Sequence, residues 1–347
     1  MTSTLSAAAP AAERAAVPRR AERAAALLQR HGALAVLVLV ALVAGLVFPS
    51  FGTVENAHNI AIQTSFLAIV ALGMTFVIIS GGIDLSVGSV FALGGVLAAY
   101  ASRWGLLPAL LLPLAACGLI GALNGTLVAK ARMPAFIVTL ASLLGARGLL
   151  LAITHQGADT FLVPRGSAFA RLGQGTFAGF GYPVYLAVAL FALGGLLLRG
   201  TRLGQSLYAV GGSEDAASLM GLPVARIKVS AYVLSGLLAG FAGALNAARL
   251  SSGVTILGVG MELDAIAAVV IGGTLLAGGS GTVSGTLCGV LLLGTIQNVI
   301  NQIGSLDSSY QSVLSGAFLV VVVVVQTYLS RTQRGGRAEG TWWRESA

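Results

Sequence analysis

The sequence predicts an all-α polytopic membrane protein of about ten transmembrane helices, with both termini in the cytoplasm. Three observations carry this. Charged residues make up 9% of the 347 residues and hydrophobic residues 56%, whereas a soluble domain carries about 25% charged residues. Apolar stretches recur from about Ala33 to Leu329 with short polar gaps, each near the ~20 residues a helix needs to cross the hydrocarbon core. The stretches are also continuous and rich in Leu, Ala, Val and Gly. That excludes a transmembrane barrel, which is built of alternating ~10-residue strands.

The spans run over about 33–48, 57–79, 86–101, 107–129, 134–154, 182–198, 229–248, 262–278, 283–303 and 310–329. Basic residues gather on the cytoplasmic side of a membrane and set orientation. With both ends inside, Arg14, Arg19, Arg20, Arg23, Arg30, Lys130, Arg132, Arg199, Arg202, Arg226, Lys228, Arg331, Arg334, Arg337 and Arg344 face inward. Only Arg103, Arg165, Arg171 and Arg249 face outward, and Arg147 falls inside a span. The stretch 80–86 reads either as a plain loop or as a re-entrant break. Residues 1–31 read as a disordered cytoplasmic tail, too long and too polar for a cleavable signal. Residues 32–330 form one transmembrane domain, and 331–347 form a second, basic cytoplasmic tail.

The net charge of +8 lies in those flanks, so it fixes orientation and does not make a nucleic-acid surface. Many of the 47 glycines sit four apart within apolar runs: Gly121 and Gly125, Gly236 and Gly240, Gly281, Gly285 and Gly289. Small residues at this spacing let helix backbones approach in lipid. Cys117 and Cys288 lie in apolar runs and imply neither a disulfide framework nor a metal cluster. His31, His58 and His155 have no ligand spacing.

Between the sixth and seventh spans the chain keeps one structured piece in water, GQSLYAVGGSEDAASLMGLPVARIKVSAY, Gly204 to Tyr232. Ser213 is a good N-cap. Glu214 and Asp215 place negative charge at the positive end of a helix dipole. Gly221 supplies a left-handed C-terminal turn, and Pro223 prevents continuation. So short a helix is marginal alone in water. It docks either into a partner's groove, through a small apolar face of Ala217, Leu219 and Met220, or onto its own bundle as an elbow.

Other polar features each admit two readings. In GGIDLSVGS, Gly81 to Ser89, Asp84 is either a functional carboxylate at membrane depth or a cap on the next span, helped by Ser86. Asn124, Thr139, Ser142, Arg147, Ser235, Asn246, Thr274, Thr286, Gln297 and Asn298 lie within spans. Together they suit either a pathway for a neutral polar solute or hydrogen-bonded glue between helices. The candidate pathway residues are Asp84, Asn124, Thr139, Asn246, Gln297 and Asn298. Glu262 and Asp264 open the eighth span as acids at a helix start. The Gly-rich outer loop 155–181 is either a docking surface or a cover.

Absences point the same way. A phosphate-binding loop requires Gly-Lys-Ser/Thr, but Lys130 follows Ala129 and Lys228 follows Ile227. Membrane carboxylates do not form a relay, and no nucleophile–base pairing suggests an enzyme. An energy source, if one is needed, belongs on another polypeptide.

Five segments carry a resemblance: Gly81–Ser89, NGTLVAKARMPAFIVTL (Asn124–Leu140), LYAVGGSEDAASLMGL (Leu207–Leu222), SGLLAGFAGALNAARL (Ser235–Leu250) and ELDAIAAVVIGGTLLAGGSGTVSGTL (Glu262–Leu287). Through them the chain, over about 55–325, resembles the membrane permease subunits of bacterial ABC importers for monosaccharides of the ribose, xylose, arabinose and galactose type, in the branched-chain permease superfamily. The resemblance implies a type II ABC importer-like bundle in the inner membrane, surrounded by membrane lipid. It implies a permease homodimer, a cytoplasmic ATP-binding subunit that holds the ATP and Mg, and an external sugar-binding protein. The permease itself would need no cofactor. Gly211, Gly212, Ser213, Glu214, Asp215, Ala217, Leu219 and Gly221 would form the coupling helix that sits in the ATPase groove. Ser213 stands where the family usually has Asn, and Met220 where Ser is common. Permeases of the same architecture for a branched-chain amino acid, autoinducer, polyol or nucleoside are the alternative. An ion-coupled secondary transporter and a non-transporting scaffold are rivals of other classes.

Overall fold

The computed structural model describes residues 19–303 together with Val313, Gly316, Ala317 and Val320. Twelve α-helices follow in chain order: α1 (Arg19–Val47), α2 (Val54–Ile79), α3 (Val87–Ala101), α4 (Leu106–Ala129), α5 (Ala135–Ile153), α6 (Ala168–Gln174), α7 (Tyr182–Gly200), α8 (Arg202–Gly212), α9 (Glu214–Leu219), α10 (Val224–Leu250), α11 (Met261–Ile271) and α12 (Val283–Ile303). A 3-10 turn, Ser102–Trp104, joins α3 to α4. Between α6 and α7 lies a minimal hairpin, β1 (Thr176–Phe177) and β2 (Phe180–Gly181), with Phe177 opposite Phe180.

Each of the first nine predicted spans falls on a helix. Among the described residues, six helices, α2, α4, α5, α7, α10 and α12, are long and apolar enough to cross a membrane. The apolar part of α1, Ala33–Val47, and the helices α3 and α11 are shorter. The predicted span 310–329 and the basic tail 331–347 lie almost wholly outside the described residues. The helix α1 begins at Arg19, inside the stretch expected to be a disordered tail; its Ala, Arg, Glu, Leu and Gln residues are strong helix formers.

The helix α10 is the axis of the bundle and packs against α2, α3 and α4. Small residues make this possible. A Cβ on Gly73 of α2 would lie 2.9 Å from Ser235 Cα, and one on Gly94 of α3 would lie 2.7 Å from Gly240 Cα. The spaced glycines of α4 and α10 behave as packing faces: Gly125 lies against Val229, and Gly240 against Cys117. These contacts also give direction. From Asp84 beside Ser235 to Gly95 beside Gly243, α3 climbs parallel to α10, away from the end of the bundle that carries α8 and α9.

Two departures from the expected spans matter. The eighth span, expected over 262–278, is helical only to Ile271. Residues 272–282 then turn back through Gly273, Gly278 and Gly279, whose φ values are +87°, +86° and +71°. An L side chain rarely adopts these angles, so the apolar run cannot continue as helix here. The segment 251–260, which lies between the seventh and eighth expected spans, dives into the bundle. Gly253 packs on Val96, whereas Gly258 packs on Gly88, eight residues earlier on α3. That is a descent of about 12 Å at 1.5 Å per residue. The break 80–86 is also buried apart from Gly81 and Ile83. It is therefore a buried turn inside the bundle.

Candidate functional site

At one end of the bundle the polar break between α7 and α10 forms two helices. Thr201 caps α8, its Oγ1 accepting from Gly204 N–H at 3.2 Å. Ser213, extended at φ −162°, ends α8 and caps α9, its Oγ accepting from Ala216 N–H at 3.2 Å. Glu214 and Asp215 occupy the first turn. Gly221 turns the chain out at φ +80°, and α10 starts after Pro223. Ser213, Glu214, Asp215, Gly221 and Pro223 thus take the local roles read from the sequence.

The helix faces are different from the expectation. Ala217 is fully buried against the bundle, so it is not part of an outward apolar face. Leu219 and Met220 are 90% and 70% exposed. An ion pair from Lys228 to Glu214 ties α9 to the first turns of α10. A small helix is therefore pinned at its back and leaves two large apolar side chains exposed.

The helix α8 was not foreseen, although its signals are in the sequence: a Thr201 cap and apolar Leu203, Leu207 and Val210 at helical spacing. The Tyr208 hydroxyl donates to Gly281 O at 2.7 Å. Burial holds its phenol above the ordinary pKa. Gly211 has no room for a side chain, since a Cβ would overlap Ile79 O. Gly212, the next residue, meets open space.

Above this end lies a polar network in the 80–86 turn. Asp84 is 1% exposed. Its Oδ1 accepts from Ser86 N–H at 3.0 Å and Ser86 Oγ at 2.6 Å, and its Oδ2 accepts from Ser235 Oγ at 2.9 Å. Asn124 Nδ2 donates to Ser86 Oγ at 3.1 Å, and Ser142 donates to Asn124 Oδ1. Thr139 donates to Ala135 O at 2.8 Å and reaches Ile83 O at 3.4 Å, while Tyr232 donates to the same carbonyl at 3.3 Å. This network joins the turn to α4, α5 and α10.

The candidate pathway residues therefore separate. Asp84, Asn124 and Thr139 meet in this one network. Asn298 exchanges hydrogen bonds with Asn56 at 2.8 and 3.1 Å and accepts from Gln302 at 2.9 Å, linking α12 to the start of α2. Gln297 is half-buried beside it on α12. Asn246 stands apart on α10, with a buried and unpaired Oδ1.

Arg147, one of the in-span polar residues that admitted either a pathway or a hydrogen-bonded glue reading, holds the descending segment in place. Its Nη1 donates to Thr255 O at 2.7 Å and Leu257 O at 3.1 Å, and Nη2 donates to Leu257 O at 3.1 Å. Ile256 and Val259 between and beyond these carbonyls are 79% and 77% exposed. The arrangement is non-helical backbone, beside the spanning helices, on an outward face.

With this geometry in view, comparison with known proteins decides the family. Residues 56–323 match the model of the branched-chain amino acid transport system / permease component family.

The chain belongs to this permease family.

This permease is 43% identical over 302 residues to the ribose import permease protein RbsC of Escherichia coli K12, covering 86% of the chain and 94% of that protein. It is 40% identical over 301 residues to RbsC of Bacillus subtilis, covering 86% and 93%. It is 36% identical over 328 residues to the L-arabinose ABC transporter permease protein AraH of Azospirillum brasilense, covering 94% and 95%. No solved structure matches the chain at a significant level. The permease is a multi-pass inner-membrane protein, and its role is transport.

Proposed function

We propose that this permease is the membrane subunit of an ATP-driven importer that moves a monosaccharide, a pentose or hexose, across the inner membrane. The relatives named for ribose and arabinose transport support the cargo. The observation that carries the mechanism is α9. A six-residue helix is not stable by itself, and this one is pinned by buried Ala217 and the Glu214–Lys228 pair so that Leu219 and Met220 stand in water. A partner's groove is the natural cover for them. Here the partner is a cytoplasmic ATP-binding subunit, which holds the ATP and Mg. An external sugar-binding protein delivers the solute to the opposite end.

The chain has ten membrane segments with both termini cytoplasmic, flanked by tails over 1–31 and 331–347. The polar end with α8 and α9 then lies in the cytoplasm beside Arg199, Arg202, Arg226 and Lys228. Irregular backbone at membrane depth is tolerated only where protein or a water-filled cavity covers it. The exposed face at Ile256 and Val259 meets that condition if two copies pair across α5 and residues 254–260 and enclose the pathway. Asp84, Asn124 and Thr139 hold the inner side of that pathway, and Asn246, Gln297 and Asn298 contribute polarity further out. A partner drives alternating access only through different affinity for the two states, so α9 fits the ATPase groove differently in each.

The family description and the proximity of Glu262 to Arg147 favour a zwitterionic amino acid as the second reading. Uptake assays with ribose and leucine separate the two. The test of the first is purification of the tagged permease in mild detergent. A stoichiometric ATP-binding subunit is expected, lost on Glu214→Arg. Full retention in that variant removes the coupling assignment, and an active transporter without any ATPase removes the importer itself.

A further inference from the structure

Three chain reversals converge on α8 with no side chain between them. The first is the end of α2, at Ile79–Gly82. The second is Gly211 and Gly212, which lead into α9. The third is Gly278–Gly281, between α11 and α12. The Gly279 N–H donates to Ile79 O at 2.9 Å. A Cβ on Gly211 would overlap that same carbonyl and lie 2.6 Å from Gly279 N. One on Gly279 would lie 2.7 Å from Gly212 Cα, and one on Gly278 2.9 Å from Gly81 Cα. Tyr208, one turn before Gly211, fastens Gly281 O.

Backbone packed on backbone has no rotamer with which to absorb a shift. Side chains between elements yield by changing χ angles; these contacts do not. From Gly81 the chain runs directly into the Asp84 network. A Cβ on Gly82 would sit 2.5 Å from Tyr232 Oη, on the helix that follows α9. The break at 80–86 is thus reached from α9 along two routes, through Gly211 and Ile79 on one side and through Tyr232 and Ser235 of α10 on the other.

We infer that Gly211, with Tyr208 and Gly279, is a positioning element that carries displacement of the coupling helix into the 80–86 and 272–282 reversals. This rests on the reading of α9 as the coupling helix. The element touches neither solute nor ATP; it acts by keeping three turns in rigid contact. Its loss therefore separates ATP hydrolysis from the response to solute.

The experiment uses the full complex in proteoliposomes with its ATP-binding subunit and binding protein. ATP hydrolysis is measured with and without binding protein plus ribose. Gly211→Ala is expected to lower the ratio of stimulated to unstimulated hydrolysis about tenfold, as an overpacked contact would. Tyr208→Phe adds no bulk and is expected to lower the ratio severalfold. It decides the matter where Gly211→Ala does not assemble. Gly200→Ala, at the same end but in open space, is expected to keep the parent ratio. A parental ratio in Gly211→Ala, or in Tyr208→Phe where the first variant does not assemble, overturns the inference. So does equal damage from Gly200→Ala. A parent complex that never responds to binding protein removes the importer reading, and the inference with it.

Discussion

Asp84 shows how a single residue serves two ends. Its carboxylate is closed by three donors from Ser86 and Ser235, which lets a buried turn stand inside the bundle. Ser86 holds the N-cap position of α3, yet its hydroxyl turns to Asp84 instead of capping the helix. The sequence offered capping and function as alternatives, and the geometry contains an Asx-type turn that is also the hub of a network. Asp84→Ala would leave the Ser86 and Ser235 donors buried without an acceptor. The expected cost is about 1–3 kcal/mol for each unsatisfied group, read as a lower Tm of the detergent-solubilised protein. Asp84→Asn retains acceptor capacity and should lose less.

At the scale of elements, the interrupted ones are the informative ones. The helix α11 starts deep in the bundle after the descent of 251–260 and stops at Ile271. Arg147 is the anchor of that descent. Its three hydrogen bonds satisfy carbonyls that no helix serves. Hydrogen bonds to a charged group contribute about 1.5–3 kcal/mol, so Arg147→Ala is expected to reduce transport roughly tenfold or more while membrane insertion stays normal. Arg147→Lys should recover only part, because an ammonium is a compact point charge without the planar pair of Nη donors that Arg147 uses. Unchanged uptake in Arg147→Ala would show that the descent holds without its anchor. These elements also mark what the sequence could tell. Uninterrupted spans were legible because length and apolarity suffice for them, and the α9 caps were legible because Ser213, Gly221 and Pro223 each have a local role. The descent of 251–260 and the break at 272–282 were not, because GVTILGVG and GGTLLAGG are as apolar as the helices around them. Tertiary contacts, of glycines and of Arg147, distinguish them. Ala217 was misplaced for a related reason: at six residues, α9 is too short for its sequence to show which face is inward.

The described residues form a bundle built around α10, with the α8–α9 pair at one end and a descending segment that opens towards the other. Small residues bring its backbones together, and a few polar networks join its breaks. The networks at Asp84 and at Asn56–Asn298 sit at opposite ends of α2. Which residues belong together was invisible in the sequence, since Asp84 and Ser235 are 151 residues apart. Which residue types to suspect was visible. The central claim is that force enters from outside the chain, through α9. The most direct test is ribose uptake into proteoliposomes that hold the permease, its ATP-binding subunit and its binding protein, with ATP supplied on the α9 side and ionophores abolishing every ion gradient. The account predicts uptake that requires ATP, survives the ionophores and is lost in Leu219→Asp together with the bound ATPase. Uptake that persists without ATP and collapses with the ion gradient would contradict it.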